Sequence, residues 1–337
     1  MSPRLRESIT EDPHGGFDRP GRRSRPRTKE RPTYTDAVEA TVVTVDRGRY
    51  RCLLADERDS PHPPGLVTAT KARSLGRKGV IVGDHVRLVG DTSGAEGTLA
   101  RIVEVAERDT VLRRTADDDD PFERPIVANA DQLVIVAALA DPPPRVGMID
   151  RLLVAAYDAG LEPLLVLTKA DLANPDGLMA TYRPLGVHVV AVEPGSDLTE
   201  LREALAGHRS VLVGHSGVGK STLVNALIPG IDREVGEVNE VTGRGRHTST
   251  SAIALQLPDG GGWVIDTPGV RSFGLSHVTP DSIIAAFPDL AEIVEDCPRG
   301  CHHDSSEPEC ALDVAVAEGR LAPERLESFR RMEKAFG

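Results

Sequence analysis

The chain has 337 residues, of which 39% are hydrophobic and 27% charged, and a formal net charge of -12. Those proportions exclude a disordered or fibrous chain, and the length asks for two or three domains. No run reaches the roughly 18 uninterrupted apolar residues of a membrane span, and the Arg- and Pro-rich start has no apolar leader core, so a cytoplasmic protein without a membrane partner is expected.

The charge is unevenly spread. Residues 1–115 hold 22 Lys and Arg against 17 Asp and Glu, whereas the remainder holds 18 against 35. A polyanion is therefore expected to meet the front of the chain.

Residues 1–36 carry many Arg, Pro, Gly and Ser and few apolar side chains, which predicts a disordered basic tail. From Ala37 to about residue 115, short alternating runs follow: Ala40–Val45, Tyr50–Leu54, Gly79–Gly83, His85–Val89 and Leu99–Val105. Five such strands in so short a stretch predict a small all-β barrel of the oligonucleotide-binding (OB) kind. Lys71, Arg73, Arg77 and Lys78 would crowd one of its loops. Aromatic residues are scarce, so any RNA is expected to be met through its backbone and shape.

The acidic stretch Asp117-Asp-Asp-Asp-Pro121 marks a boundary, and residues 116–275 read as an α/β domain. Apolar strands at Gln132–Ala137, Pro163–Leu167, Val187–Ala191 and Ser210–Val213 alternate with helical patterns around Asp150–Ala159 and Leu198–Leu205. A parallel sheet with helices on both faces is expected. Residues 276–337 form a small helical domain interrupted by cysteines.

The strongest motif is Gly214-His-Ser-Gly-Val-Gly-Lys-Ser221, which follows Val211-Leu-Val213 and leads into Thr222-Leu-Val-Asn-Ala-Leu227. It satisfies G-x-x-x-x-G-K-[ST] between a strand and a helix, the context that makes a P-loop. Backbone NH groups of Gly214, His215, Ser216, Gly217, Val218 and Gly219 would wrap the phosphates, with Thr222 beside them. Lys220 would reach the β/γ oxygens, and Ser221 would ligate Mg2+.

Base choice rests on Thr168-Lys-Ala-Asp171 at the end of a strand, which resembles the N/T-K-x-D guanine motif of Ras-related GTPases. Asp171 would accept from the guanine ring NH and amine, a donor pair that adenine lacks; Lys169 would lie along the base beside Ala170. Thr168 stands where Asn is commoner. Asp266-Thr-Pro-Gly269 fits the Walker-B and switch II pattern, with Asp266 on Mg2+ through water and the Gly269 NH on the γ-phosphate. The Gly-rich stretch Gly236–Thr250 fits switch I, whose Thr248 or Thr250 would close on Mg2+.

The guanine motif precedes the P-loop, the reverse of the Ras order. A permuted GTPase domain, a barrel before it and a Cys/His cluster after it together resemble the RsgA (YjeQ) family of small ribosomal subunit biogenesis GTPases. Ala128-Asn-Ala-Asp-Gln132 and Gly236–Thr250 share in that resemblance. It implies binding to the 30S subunit and its 16S rRNA, slow intrinsic hydrolysis stimulated by the ribosome, and release on hydrolysis of GTP to GDP. A monomer is expected.

Three of the four cysteines cluster in Cys297-Pro-Arg-Gly-Cys-His-His-Asp-Ser-Ser-Glu-Pro-Glu-Cys310. Three thiolates and one imidazole suit a closed tetrahedral Zn2+ site. Cys297, Cys301, His303 and Cys310 are the candidate ligands, and His302 competes with His303 because the family spacing is C-x4-C-x-H-x5-C. For hydrolysis, Val270 stands where Ras-type enzymes place a water-orienting Gln. His247 in switch I is the candidate catalytic residue, and that position carries a His in the resembled family. The competing readings are an ATP-dependent P-loop kinase and a nucleotide-gated RNA scaffold with little turnover.

Overall fold

The computed structural model describes residues 34–54, 65–76, 79–114, 124–229, 252–258, 261–267, 280–285, 287–307 and 309–334. Residues 1–33, the loop cations Arg77 and Lys78, and the acidic stretch Asp117–Pro121 lie outside that set. The chain divides into two units at Thr35, and the architecture below belongs to the second, Asp36–Gly337.

Five strands make the expected barrel: β1 (Val38–Asp46), β2 (Arg49–Leu54), β3 (Leu66–Lys71), β4 (His85–Gly90) and β5 (Ala100–Val105). They run in the order β1-β2-β3-β5-β4, and β4 pairs back onto β1 to close the barrel. Alternation decides which side chains enter. On β2, Tyr50, Cys52 and Leu54 are buried while Arg49 and Arg51 face outward. The core joins them to Val42, Val67, Ala69, Val86, Leu88 and Ile102. Burial there pushes the Cys52 thiol up to about 12, so it is a packing group rather than a reactive one.

The strand expected at Gly79–Gly83 does not form. Gly79–Gly83 is a turn: the Ile81 NH donates to the Asp84 carboxylate at 2.8 Å, and Gly83 turns with φ +87°. Val80 and Val82 are buried, which imitates strand alternation. The missing strand is β3, where Val67 and Ala69 alternate with threonines.

A two-stranded sheet, β6 (Val111–Arg114) with β7 (Arg124–Ala128), leads into the second domain. There the strands are β8 (Gln132–Ala138), β9 (Glu162–Thr168), β10 (His188–Ala191), β11 (Arg209–Val213), β12 (Ile253–Gln256) and β13 (Trp263–Asp266), ordered β10-β9-β8-β11-β13-β12. The sheet is mixed rather than purely parallel, because β12 runs antiparallel to β13. All seven residues of β8 are buried, as a central strand covered on both faces requires.

The two faces have different partners. Ile135, Leu165, Val211 and Ile265 pack against α1 (Val146–Asp158) and the C-terminal helices. Val134, Val166, Leu212 and Val264 pack against α3 (Thr199–Leu205) and α4 (Lys220–Leu227). Each fully buried aliphatic side chain adds roughly 1.5–3 kcal/mol. A short α2 (Asp176–Tyr182) precedes β10.

The C-terminal helices are α5 (Pro280–Ala285), α6 (Pro288–Val294), α7 (Ala311–Ala317) and α8 (Pro323–Glu333). Phe329 and Met332 of α8 enter the core of the first face, and Phe287 stands edge-on to Tyr157 and Phe329. Arg331 reaches the buried Asp150 of α1 at 3.3 Å and covers the Tyr182 ring. Arg325 is paired bidentately with Asp289 and donates to the Pro184 carbonyl at 2.8 Å. No helix among the described residues is long and apolar enough to cross a membrane.

Barrel and α/β domain meet through apolar packing of Val45 and Val82 and through polar groups. The Arg209 guanidinium donates to His85 Nε2 at 3.1 Å, and His85 Nδ1 lies 3.2 Å from the Thr41 hydroxyl. Arginine can only donate, so Nε2 accepts and the ring must be neutral. Burial and Arg209 together hold the His85 pKa below its ordinary 6.5, although Asp109, Asp84 and Glu39 pull it the other way. The unfolded chain therefore binds the extra proton first. This part of the stability is complete above about pH 6.5 and is lost as pH falls below it. Urea midpoints at pH 7.5 and 5.5 should show the loss in the wild type and a smaller one in His85→Gln; equal losses would remove His85 as the cause.

Candidate nucleotide site and metal centre

The parallel strands β8, β9, β11 and β13 end on one edge of the sheet, where an α/β fold binds its ligands. β11 runs buried into Gly214, which packs so closely on the Val136 carbonyl that a Cβ would overlap it. Gly217 and Gly219 both have positive φ, and Gly219 opens α4 from the left-handed region. Val218 is buried and anchors the loop in the core under α3 and α4, while Ser216, Gly217, Ser221 and Thr222 stay exposed. Backbone NH groups are thereby turned outward at a helix N-terminus.

Lys220 Nζ donates to the carbonyls of Gly214 at 2.6 Å and His215 at 3.0 Å. Burial lowers its pKa, with Asp266 opposing the shift; burial likewise raises that of Asp266, with Lys220 and the Thr267 NH opposing it. The two charges thus compensate each other at the strand ends. The Thr267 hydroxyl donates to the Leu212 carbonyl at 2.8 Å, fixing the end of β13 to the P-loop strand. His215 Nδ1 lies 2.9 Å from the Ser216 carbonyl, so it carries the proton.

Thr168 is buried, and its hydroxyl donates to the Val218 carbonyl at 2.6 Å. Threonine thus supplies a direct tie between the guanine motif and the P-loop. Lys169 has φ +59° and donates to the Asp141 carbonyl. The Ala170 NH donates to the Val192 carbonyl at 3.2 Å, and Asp171 is exposed.

The guanine motif has a neighbour that its own residues do not announce. The loop Val192–Ser196 after β10 abuts the guanine motif: Val192 bonds Leu167 as well as Ala170, and the Ser196 hydroxyl closes the turn on Glu193. The available signal was Glu193-Pro-Gly-Ser196, a turn directly after an apolar strand. Gly269, Val270, His247, Thr248 and Thr250 lie outside the described residues, as does the rest of Gly236–Thr250.

Cys297, Cys301, His303 and Cys310 present ligand atoms that all lie within 4.8 Å of one another. His303 Nδ1 is 3.6 Å from the sulfurs of Cys297 and Cys301 and 3.9 Å from that of Cys310. Zinc–sulfur and zinc–nitrogen bonds of about 2.3 and 2.0 Å put tetrahedral ligands roughly 3.5–3.8 Å apart, so the donor set fits a zinc ion. His303 reaches it through a positive φ of 59°, while His302 is exposed. The Ala311 NH points at Cys297 Sγ at 3.3 Å, and Arg330 holds the His303 carbonyl at 2.8 Å.

A profile of the RsgA GTPase family matches residues 105–276. The small ribosomal subunit biogenesis GTPase RsgA of Pseudomonas aeruginosa PAO1 is 47% identical over 218 residues, which is 62% of this chain and 63% of that protein. The protein of the same name from Pseudomonas fluorescens SBW25 is 43% identical over 238 residues, 68% of each chain. The match thus spans less than two thirds of the Pseudomonas aeruginosa relative. Among solved structures, YjeQ from Thermotoga maritima is 26% identical with a TM-score of 0.65, covering 89% of this chain and 99% of that one. YloQ, described as a circularly permuted GTPase, shares the fold at 24% identity and a TM-score of 0.64, covering 92% and 97%. With the permuted order of its motifs and the profile match across the α/β domain, the chain belongs to the RsgA GTPase family.

Proposed function

We propose that the protein is a cytoplasmic GTP hydrolase that binds the small (30S) ribosomal subunit and assists its late maturation, hydrolysis driving its release. The observation that carries this reading is the tie from Thr168 to Val218, which fixes a guanine motif against a P-loop at one sheet edge. An ATP-dependent kinase would share the loop but has no use for that motif. The relatives' name supports the ribosomal partner.

In this reading Gly214–Thr222 cradles the phosphates, and Lys220 exchanges the carbonyls of Gly214 and His215 for β/γ oxygens. Thr168, Lys169, Ala170 and Asp171 hold the base, and Gly269 meets the γ-phosphate. Magnesium bound with GTP would neutralise charge between the β- and γ-phosphates, held by Ser221, Asp266 and Thr250. Zinc would be structural, one ion on Cys297, Cys301, His303 and Cys310. The barrel would meet 16S rRNA, and the protein would act as a monomer.

His247 is proposed to orient the attacking water, since Val270 cannot and arginine has no acceptor for a water proton. GTP turnover at saturating 30S subunits should greatly exceed intrinsic turnover. His247→Ala should lower the stimulated rate at least about tenfold, or roughly 1.4 kcal/mol of barrier, with affinity for a non-hydrolysable analogue retained. Turnover indifferent to 30S would replace the enzyme by a nucleotide-gated scaffold; full activity in the variant would free His247 of its role.

A further inference from the structure

We propose that nucleotide occupancy is transmitted to the barrel through a two-part strut, made of strand β12 and the Arg209–His85–Thr41 bridge. The idea rests on the nucleotide-site reading above and adds how that site communicates with the barrel.

Ile253 of β12 pairs with Asp266 of β13 on one edge and with Thr44 of β1 on the other. The residue directly opposite the magnesium-side carboxylate is therefore also in register with the barrel. β12 is laddered to β13 over four residue pairs and meets β1 at the one pair Thr44–Ile253, so a shift of β13 takes β12 with it and reaches β1 through that pair. Movement of the β13 end is thus carried into β1.

The second part starts from the P-loop strand. Arg209 opens β11, whose other end runs into Gly214. Its backbone is locked to Asp131, the NH donating to Oδ1 at 3.0 Å and the carbonyl accepting from the Asp131 NH at 3.3 Å. From that fixed base the guanidinium reaches His85 on β4, and His85 reaches Thr41 on β1.

Between the two parts the backbones touch directly. The Asn129 side-chain Nδ2 donates to the Gly83 carbonyl at 2.9 Å, and its Oδ1 accepts from the Asp109 NH at 2.9 Å. A Cβ at Gly83 would overlap the Ala128 carbonyl, and the Ala128 NH donates to the Val82 carbonyl at 2.9 Å, so the two backbones are in direct contact there. The barrel is gripped by the P-loop strand and by the partner of the Walker strand, the two strands whose ends would face the phosphates and the metal. A change in their relative position has to move or strain it. Linkage makes the effect mutual: a ligand on the barrel would shift nucleotide preference by the same factor.

The test is amide hydrogen exchange across β1 and β4 of the full chain, with GDP and with a non-hydrolysable GTP analogue plus Mg2+. The wild type should show exchange rates differing at least about fivefold between the two nucleotides. Arg209→Met, and separately the milder Thr41→Val, should shrink that difference below about twofold with affinity for both nucleotides retained, and Arg209→Lys should restore part of it. Identical exchange in a wild type that binds both nucleotides would overturn the strut and leave the nucleotide reading standing. A full difference in both variants would also overturn it. Failure of the wild type to bind either nucleotide would overturn the nucleotide reading, and the strut with it.

Discussion

Asp171→Asn is expected to lower GTP affinity at least about 100-fold and to create a preference for xanthosine triphosphate. A carboxylate accepts from both the ring NH and the exocyclic amine of guanine. Asparagine turns one of those acceptors into a donor, which faces the amine but matches the 2-oxo group of xanthine. Discrimination built on buried hydrogen bonds reaches about 10^4-fold, because a mismatched base leaves polar groups unpaired. The scaffold around Asp171 does not depend on its side chain. Thr168 holds the loop to Val218, and Ala170 holds it to Val192. The variant should therefore fold normally, and only base preference should change. Equilibrium binding of GTP, ATP and xanthosine triphosphate to both forms decides it; an unaltered order of affinities would take Asp171 out of the site.

Removal of zinc is expected to be the most destabilising change. Metal analysis should find about one zinc per chain. A structural zinc site contributes an apparent 10–16 kcal/mol of binding free energy at neutral pH, comparable with the whole stability of a domain at about 5–15 kcal/mol. Cys310 is buried and is the N-cap of α7, a position that serine suits, so Cys310→Ser strikes the metal and spares the helix start. The variant should lose α5–α8 as ordered structure, seen as a fall in helical circular dichroism and a lower first unfolding transition. Nucleotide affinity should persist. The P-loop helix α4 packs on one face of the sheet, whereas α7 and α8 pack on the other. A wild type stripped of zinc yet unchanged in melting would show that the cluster is not a structural metal site.

The parts of this site that were legible in the sequence are those whose chemistry demands a local pattern. A phosphate cradle needs glycines at fixed spacing between a strand and a helix, and Gly214–Ser221 announces it. The five barrel strands were legible in number, yet Val80 and Val82 imitated a strand that Gly83 and Asp84 turn into a loop. β12 went unread because Ile253-Ala-Leu-Gln256 is too short to show a period, and its role comes from two neighbours distant in sequence. The choice of His303 over His302 depends on a backbone angle, and the reach of the Thr168 hydroxyl on the packing of two loops. Neither leaves a trace in residue spacing.

The docking of α8 bears on where the chain can be shortened. Its last turns supply Phe329 and Met332 to a core that also contains Ile135 and Leu153, so the helix is part of the α/β domain's own interior. Arg331 stands beside a carboxylate, Asp150, that is only 1% exposed. Trimming α8 would uncover aromatic surface and remove the Arg331 partner of Asp150 in one cut. A shortened protein should therefore be sticky and prone to aggregation well before its nucleotide site is touched.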